Sequence, residues 1–180
     1  MEIYSIGFTQ KSASEFFGTL KAHGIERLLD VRLNNTSQLA AFAKKDDLAY
    51  FLSTICAAQY LHEPLLAPTQ EILDAYKKRK GDWDAYEREF LTLMRERKVE
   101  AKLDRAQFAE PTVLLCSEPT PEHCHRRLVL DARVARLGGV ANAERAGHNA
   151  RPACRRHCIT SVARHRASGR HHCRLASLRV

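Results

Sequence analysis

The chain has 180 residues, 44% of them hydrophobic, which suffices for one packed domain and leaves little for a second. No apolar run approaches the ~20 residues that a membrane-crossing helix needs, and Met1-Glu2-Ile3-Tyr4 has neither the basic nor the apolar stretch of a secretory signal, so a cytoplasmic protein without a membrane partner is expected. The formal charge of +8 is local: segment 145–180 carries nine Arg and no acid, and the remainder holds 20 basic against 21 acidic residues.

Glu2–Phe8 reads as a short strand ending near Gly7. Ser12-Ala13-Ser14-Glu15 has the pattern of a capping box, in which Ser12 accepts from the backbone and Glu15 reaches back. Ala13, Phe16, Phe17 and Leu20 follow at helical spacing, and Gly24 stops the helix. Ile25–Val31 reads as a second, buried strand. A β-α-β unit of this kind implies parallel strands joined by a right-handed crossover.

Arg32–Lys45 is polar and irregular. Asp46 or Asp47 can cap a helix carrying Leu48, Phe51, Leu52 and Ile55. Gln59–Glu63 reads as a short extended piece, and Pro64 and Pro68 bracket a loop. Two further helices are predicted, one through Ile72, Leu73 and Tyr76, the other through Trp83, Tyr86, Phe90, Leu93 and Met94. The second stripe reads as core rather than as a cofactor box. Thr112–Cys116 is apolar enough to be a central strand. Thr120-Pro121 resembles an N-cap followed by proline at the first helical position, which predicts a helix from about Pro121 to Leu137.

The expected fold class is therefore α/β: a small parallel sheet flanked by helices, Rossmann-like and three-layered, with a helical insert between the second and third of these strands. The single domain is expected to span 1–137. The segment 138–180 has no aromatic residue, since the last is Phe108, and beyond Glu144 it is rich in Arg, His, Ala, Cys, Ser and Gly with little apolar periodicity. It reads as a basic, disordered tail, and as what GC-rich DNA yields in a shifted frame. A basic tail for nucleic acid is the rival reading. Cys154, His157 and Cys158 look metal-like, but without a core around them they are discounted.

Three Cys lie in the body of the chain: Cys56, Cys116 and Cys124. In a chain without a secretory signal these read as free thiols, ligands or catalysts, not as a disulfide framework. In a parallel sheet, ligands bind beyond the carboxyl ends of the strands. Those ends deliver Gly7-Phe8-Thr9, Asp30-Val31-Arg32 and Cys116-Ser117-Glu118, followed by Cys124-His125-Arg126. Alternation puts Asp30 and Arg32 on one face, where Arg32 can bind a phosphate or carboxylate, be neutralised by Asp30, or both. Cys124, expected in the first helical turns beside His125, Arg126 and Arg127, is the candidate thiolate, with Cys116 as its partner or as a small core residue. Arg126 also has Glu122 four residues earlier, an ordinary helical ion pair. His62 is expected to cap a loop. No metal site is assigned, because adjacent residues on a helix do not face one point, so Cys124 and His125 are not expected to hold one ion. No cofactor is expected.

Tyr4-Ser5-Ile6-Gly7-Phe8-Thr9, Leu29-Asp30-Val31-Arg32, Leu115-Cys116-Ser117-Glu118 and Cys124-His125-Arg126-Arg127 together resemble the signature of the domain of unknown function 488 family, and Trp83-Asp84-Ala85-Tyr86-Glu87 resembles it as well. The resemblance covers about residues 2–130. It implies a compact α/β domain with a parallel sheet, and it places Gly7, Asp30, Arg32, Cys116, Glu118, Cys124, His125 and Arg126 at the family's signature positions. It supplies no activity. Family members usually continue past the last helix into another short apolar strand, and Gly138-Gly139-Val140-Ala141-Asn142 departs from that.

These readings predict a pocket at the strand tips that binds an anion or works through a thiol. Cys124, Cys116 and Asp30 are its candidate catalytic residues, and Gly7, Thr9, Arg32, Glu118, His125 and Arg126 its ligand-binding ones. The partner would be a phosphorylated small molecule or nucleic acid. The alternatives are a redox- or metal-responsive module using Cys116 and Cys124, and a non-catalytic protein-interaction domain.

Overall fold

The computed structural model describes residues 2–36, 41–137 and 178–179. The core of the fold is four parallel strands: β1 (Glu2–Gly7), β2 (Arg27–Asp30), β3 (Gln59–His62) and β4 (Thr112–Cys116), in the spatial order β3-β2-β4-β1. The insert between β2 and β4 thus contributes an edge strand as well as helices. β5, the two residues Leu178–Arg179, pairs antiparallel with Glu2 and Ile3 of β1, an element that the sequence does not announce. The rest of the tail, including Cys154, His157 and Cys158, lies outside the described residues. Among the described residues no helix is long and apolar enough to cross a membrane.

The helices are α1 (Ala13–Ala22), α2 (Lys45–Phe51), α3 (Gln70–Lys77), α4 (Trp83–Glu96), α5 (Val99–Lys102) and α6 (His125–Leu137). The capping box of α1 is formed: the Glu15 amide donates to Ser12 Oγ at 3.2 Å and the Ser12 amide to Glu15 Oε2 at 2.9 Å. Gly24 follows with φ +60°, a conformation that glycine adopts without steric cost. α2 begins without a side-chain cap, and Asp46 and Asp47 lie inside its first turn instead. Asp82 caps α4.

Strand alternation divides the core into two layers. On one face Tyr4, Ile6, Leu28, Val113 and Leu115 pack with Phe16, Phe17 and Leu20 of α1 and Leu48 of α2. On the other, Ile3, Leu29 and Leu114 pack with Tyr86, Phe90 and Met94 of α4 and with Leu128 and Val129 of α6. Each fully buried Leu, Ile or Phe stabilises the fold by roughly 1.5–3 kcal/mol relative to an exposed one. The Trp83–Met94 stripe is therefore core, as its spacing predicts. The sheet is covered on both faces, so its open end is where the strands stop. There Gly7 stands beside Cys116, and Asp30 beside Leu115.

One boundary differs from expectation. The last helix begins at His125, not near Pro121. The intervening segment is a loop folded onto itself: the Cys124 amide donates to the Pro121 carbonyl at 3.2 Å, and Arg126 Nη1 donates to the Glu118 carbonyl at 2.5 Å. Pro121 sits in a turn, and the local cap signal of Thr120-Pro121 yields to the contact made by Arg126.

Candidate functional site

The site is built by β4, the loop after it and the start of α6. Cys116 ends the fully buried β4, and Cys124 and His125 stand at the foot of α6. Cys116, Cys124, His125 and Arg126 are all buried. The Sγ atoms of the two cysteines and a ring nitrogen of His125 lie within 4.8 Å of one another. This corrects the expectation that Cys124 and His125 cannot face one point. Cys124 precedes the helix, so the angular spacing of neighbouring helical residues does not apply to the pair.

The His125 ring is held from both sides. Nε2 lies 2.8 Å from the Val31 carbonyl and donates to it, and Nδ1 lies 3.7 Å from Cys116 Sγ. The Phe90 ring packs edge-on against it at 5.5 Å. With Nε2–H fixed on a carbonyl that can only accept, Nδ1 is the atom turned to the sulfur.

The charges favour a thiolate on Cys116. A hydrogen bond from Cys124 lowers the Cys116 pKa well below that of an ordinary thiol; burial opposes this, and His125 and Arg126 add to it. Burial pushes the Cys124 thiol well up, and its hydrogen bond to Cys116 and the neighbouring charge push it further. Burial pulls the His125 imidazolium down, but the Cys116 charge, the hydrogen bond to Cys116 and the Val31 carbonyl outweigh it and raise the His125 pKa. Of the two thiols, Cys116 is thus the one favoured as thiolate, while burial and the Cys116 neighbour favour the protonated form of Cys124 against the opposing backbone hydrogen bond and charge of Arg126.

Arg126 is wholly buried. Its Nη1 binds the Glu118 carbonyl, while Nε and Nη2 have no hydrogen-bond partner among the described residues. Gly7 makes this approach possible: a Cβ there would lie 1.8 Å from the Glu118 carbonyl oxygen and 2.9 Å from Arg126 Nη1. Thr9 Oγ1 donates to the Ser117 carbonyl and ties β1 to the same loop. The expected Glu122–Arg126 helical pair is absent among the described residues, since Glu122 precedes the helix.

Asp30 and Arg32 form a buried ion pair next to this cluster. Arg32 Nε donates to Asp30 Oδ1 at 2.8 Å and Nη2 to Oδ2 at 2.6 Å, and Nη2 also reaches the Ala43 carbonyl at 2.8 Å. Asp30 thus neutralises Arg32, which also lines the cleft described below. Tyr60, whose own pKa is raised by burial and by Asp30, donates to Asp30 at 2.7 Å. His62 binds the Arg32 carbonyl at 3.0 Å and so holds the loop after β2.

A cleft of about 310 Å³ opens beside the cluster, lined by Cys116, Cys124 and His125 together with Tyr86, Lys77 and Glu118. The Lys77 ammonium bridges to Glu118 Oε1 at 2.5 Å. Burial lowers the Lys77 pKa, but the Glu118 contact and the two thiols more than reverse this. Burial raises the Tyr86 hydroxyl, and the neighbouring Cys116, Cys124 and Glu118 raise it further. Tyr86 and Lys77 are additions to the sequence-derived set. The first reads only as core, and the second belongs to a basic helix end that nothing in the sequence ties to β4. The donor set of two sulfurs and one imidazole nitrogen also has the chemistry of three zinc ligands.

An α/β domain with a buried Cys-Cys-His cluster at the carboxyl end of its central strand is thus the class that fold and site define. Comparison with protein families matches residues 12–133 to DUF488, a domain of unknown function, and the chain belongs to that family. No curated protein and no solved structure matches the chain.

Proposed function

We propose that this domain is a thiol-dependent enzyme whose nucleophile is Cys116, acting on a small electrophilic substrate admitted through the cleft at the strand ends. The observation that carries the reading is the convergence of both sulfurs and the His125 ring within 4.8 Å at the wall of that cleft. A thiolate is the reactive form of cysteine, and cationic neighbours favour it. His125 supplies the positive partner at 3.7 Å, and its ring is oriented by the Val31 carbonyl. Arg126 adds a buried guanidinium with two unpaired nitrogens. Cys124 stabilises the thiolate as a hydrogen-bond donor. Asp30 acts one step away, by fixing Arg32 at the edge of the site.

The test is the pH dependence of alkylation of the full chain by iodoacetamide, with each modified cysteine identified by peptide mapping. Cys116 is expected to react with a midpoint well below the ~8.5 of a free thiol. Cys124→Ala removes the donated hydrogen bond and is expected to raise that midpoint. A Cys116 that titrates like a free thiol, or that stays unmodified while Cys56 reacts, would overturn the proposal.

A further inference from the structure

We infer that Cys116 and Cys124 are a peroxide-reducing dithiol, in which Cys116 attacks a hydroperoxide and Cys124 resolves the product as an internal disulfide. The inference deepens the thiol reading above and rests on it. It starts from a feature that a simple nucleophile does not need: a second buried thiol whose sulfur lies within 4.8 Å of the first and of the same His125 ring nitrogen. Cys56, the other described cysteine, is remote from this pair and contacts the Phe17 carbonyl at 3.7 Å. A disulfide requires the two sulfurs to close to about 2.05 Å. Their present separation lies within 4.8 Å, and because the Cys124 amide and carbonyl are bonded to the Pro121 carbonyl and the Arg127 amide, closure falls first on rotation of the two side chains.

The chemistry balances with the groups present and one named co-substrate. The Cys116 thiolate attacks the terminal oxygen of a hydroperoxide, ROOH. The O–O bond breaks, an S–O bond forms, and RO⁻ takes the proton from His125 Nδ1 to leave as ROH. Cys116 is now a sulfenic acid and His125 is neutral. Cys124 then gives its proton to His125 and attacks the Cys116 sulfur. The S–O bond breaks, and the hydroxide released takes that proton to leave as water. The sum is one hydroperoxide reduced to alcohol and water and two thiols oxidised to a disulfide. A thiol reductant from solution returns the disulfide to the dithiol by exchange.

Geometry orders the two steps: Cys116 lies against His125 Nδ1, and Cys124 reaches the Cys116 sulfur from within the same cluster. His125 gives its proton to the leaving alkoxide in the first step and relays the Cys124 proton to the leaving hydroxide in the second. Both sulfurs are almost wholly shielded, at 5% and 2% exposure, which favours a small oxidant over a bulky disulfide substrate.

The experiment treats the reduced full chain with hydrogen peroxide or, in a parallel arm, with cystamine as a small disulfide. Products are read by intact mass and non-reducing peptide mapping. Peroxide is expected to produce a Cys116–Cys124 disulfide. In Cys124→Ser the reaction should stop at a Cys116 sulfenic acid that a 1,3-dione traps, Cys116→Ser should lose the rapid phase, and Cys56→Ser should behave as wild type. Peptide mapping of the wild type needs no folded variant, so the inference stays testable if a substitution destabilises the domain. Three results would overturn it. One is cystamine oxidising the pair while peroxide does not. Another is oxidation beginning at Cys56 or at a tail cysteine. The third is a stoichiometric zinc ion whose removal is needed before either thiol reacts. Fast alkylation of Cys116 without peroxide-driven disulfide formation would sink this inference alone, whereas an inert Cys116 in both assays sinks the thiol reading too.

Discussion

The Asp30–Arg32 pair is almost fully shielded from solvent, so neither charge can fall back on water if its partner is lost. Removing one member of a buried pair typically costs about 3–5 kcal/mol, because the survivor is left uncompensated. Asp30→Asn keeps the shape and deletes the charge. It is expected to destabilise the fold by that amount in urea denaturation, and a loss as small as the ~0–1 kcal/mol of a surface pair would show that water reaches Arg32. The residue types at this end of the sheet are legible in the sequence, because strand periodicity carries Gly7, Asp30, Arg32 and Cys116 to the strand ends. Their partners are not. Whether Arg32 meets a ligand or Asp30 depends on burial, and burial depends on Phe8, Ala43 and Tyr60, which arrive from separate segments. The start of α6 is the same kind of feature: it lies where Arg126 bonds to the Glu118 carbonyl eight residues earlier.

Elements whose signals are local are the ones that the sequence describes well. α1 contains its whole specification within Ser12–Gly24: a reciprocal cap, an apolar stripe through Phe16, Phe17 and Leu20, and a left-handed glycine. Ser12→Ala removes the acceptor of the Glu15 amide and one half of the box. The expected cost is ~1 kcal/mol, within the range of about 0.5–2 kcal/mol for such caps, read as a lowered melting temperature with the thiol chemistry unchanged. A shift as large as that of Asp30→Asn would mean that Ser12 supports more than the helix end. α6 is the contrasting case. Thr120-Pro121 is a sound local start signal, but the loop it lies in is held by Arg126 Nη1 on the Glu118 carbonyl, an approach that only Gly7 on β1 permits. β3 is weakly marked because four residues at a sheet edge, partly exposed, need little apolar periodicity. The insert is therefore read from sequence as helical, when it also extends the sheet.

For the whole molecule, one core cluster draws on residues from Tyr4 to Leu115 and the other on residues from Ile3 to Ala132. The buried cluster links this domain's stability to pH in a way that an unpaired thiol would not. Cys116 has a depressed pKa in the fold, so its contribution is complete above the unfolded value of ~8.5 and is lost as pH falls toward the folded one. His125 has a raised pKa, so its contribution is complete below the unfolded value of ~6.5 and is lost as pH rises through the folded one. Wherever between ~6.5 and ~8.5 the folded chain keeps Cys116 ionised and His125 protonated, it carries one proton on His125 where the unfolded chain carries one on Cys116, so the proton counts match and the two slopes cancel. Below that window the unfolded state binds an extra proton on His125, and stability falls with falling pH. Above it the unfolded state releases the Cys116 proton while the fold retains the one on His125, and stability falls with rising pH. Cys124, whose thiol is pushed up in the fold, adds to the alkaline loss, because the unfolded chain ionises it and the folded chain does not. The expected profile of unfolding free energy is thus a plateau flanked by two declines, the alkaline one steeper. Cys116→Ser should abolish the alkaline decline that the Cys116–His125 pair contributes but leave an acid-side one, because burial then lowers the His125 pKa, and Cys124→Ala should make the alkaline side shallower. Urea titrations of the reduced protein across this range measure the profile directly. An alkaline decline that Cys124→Ala leaves unchanged would mean that the Cys124 thiol is not held protonated by its neighbour.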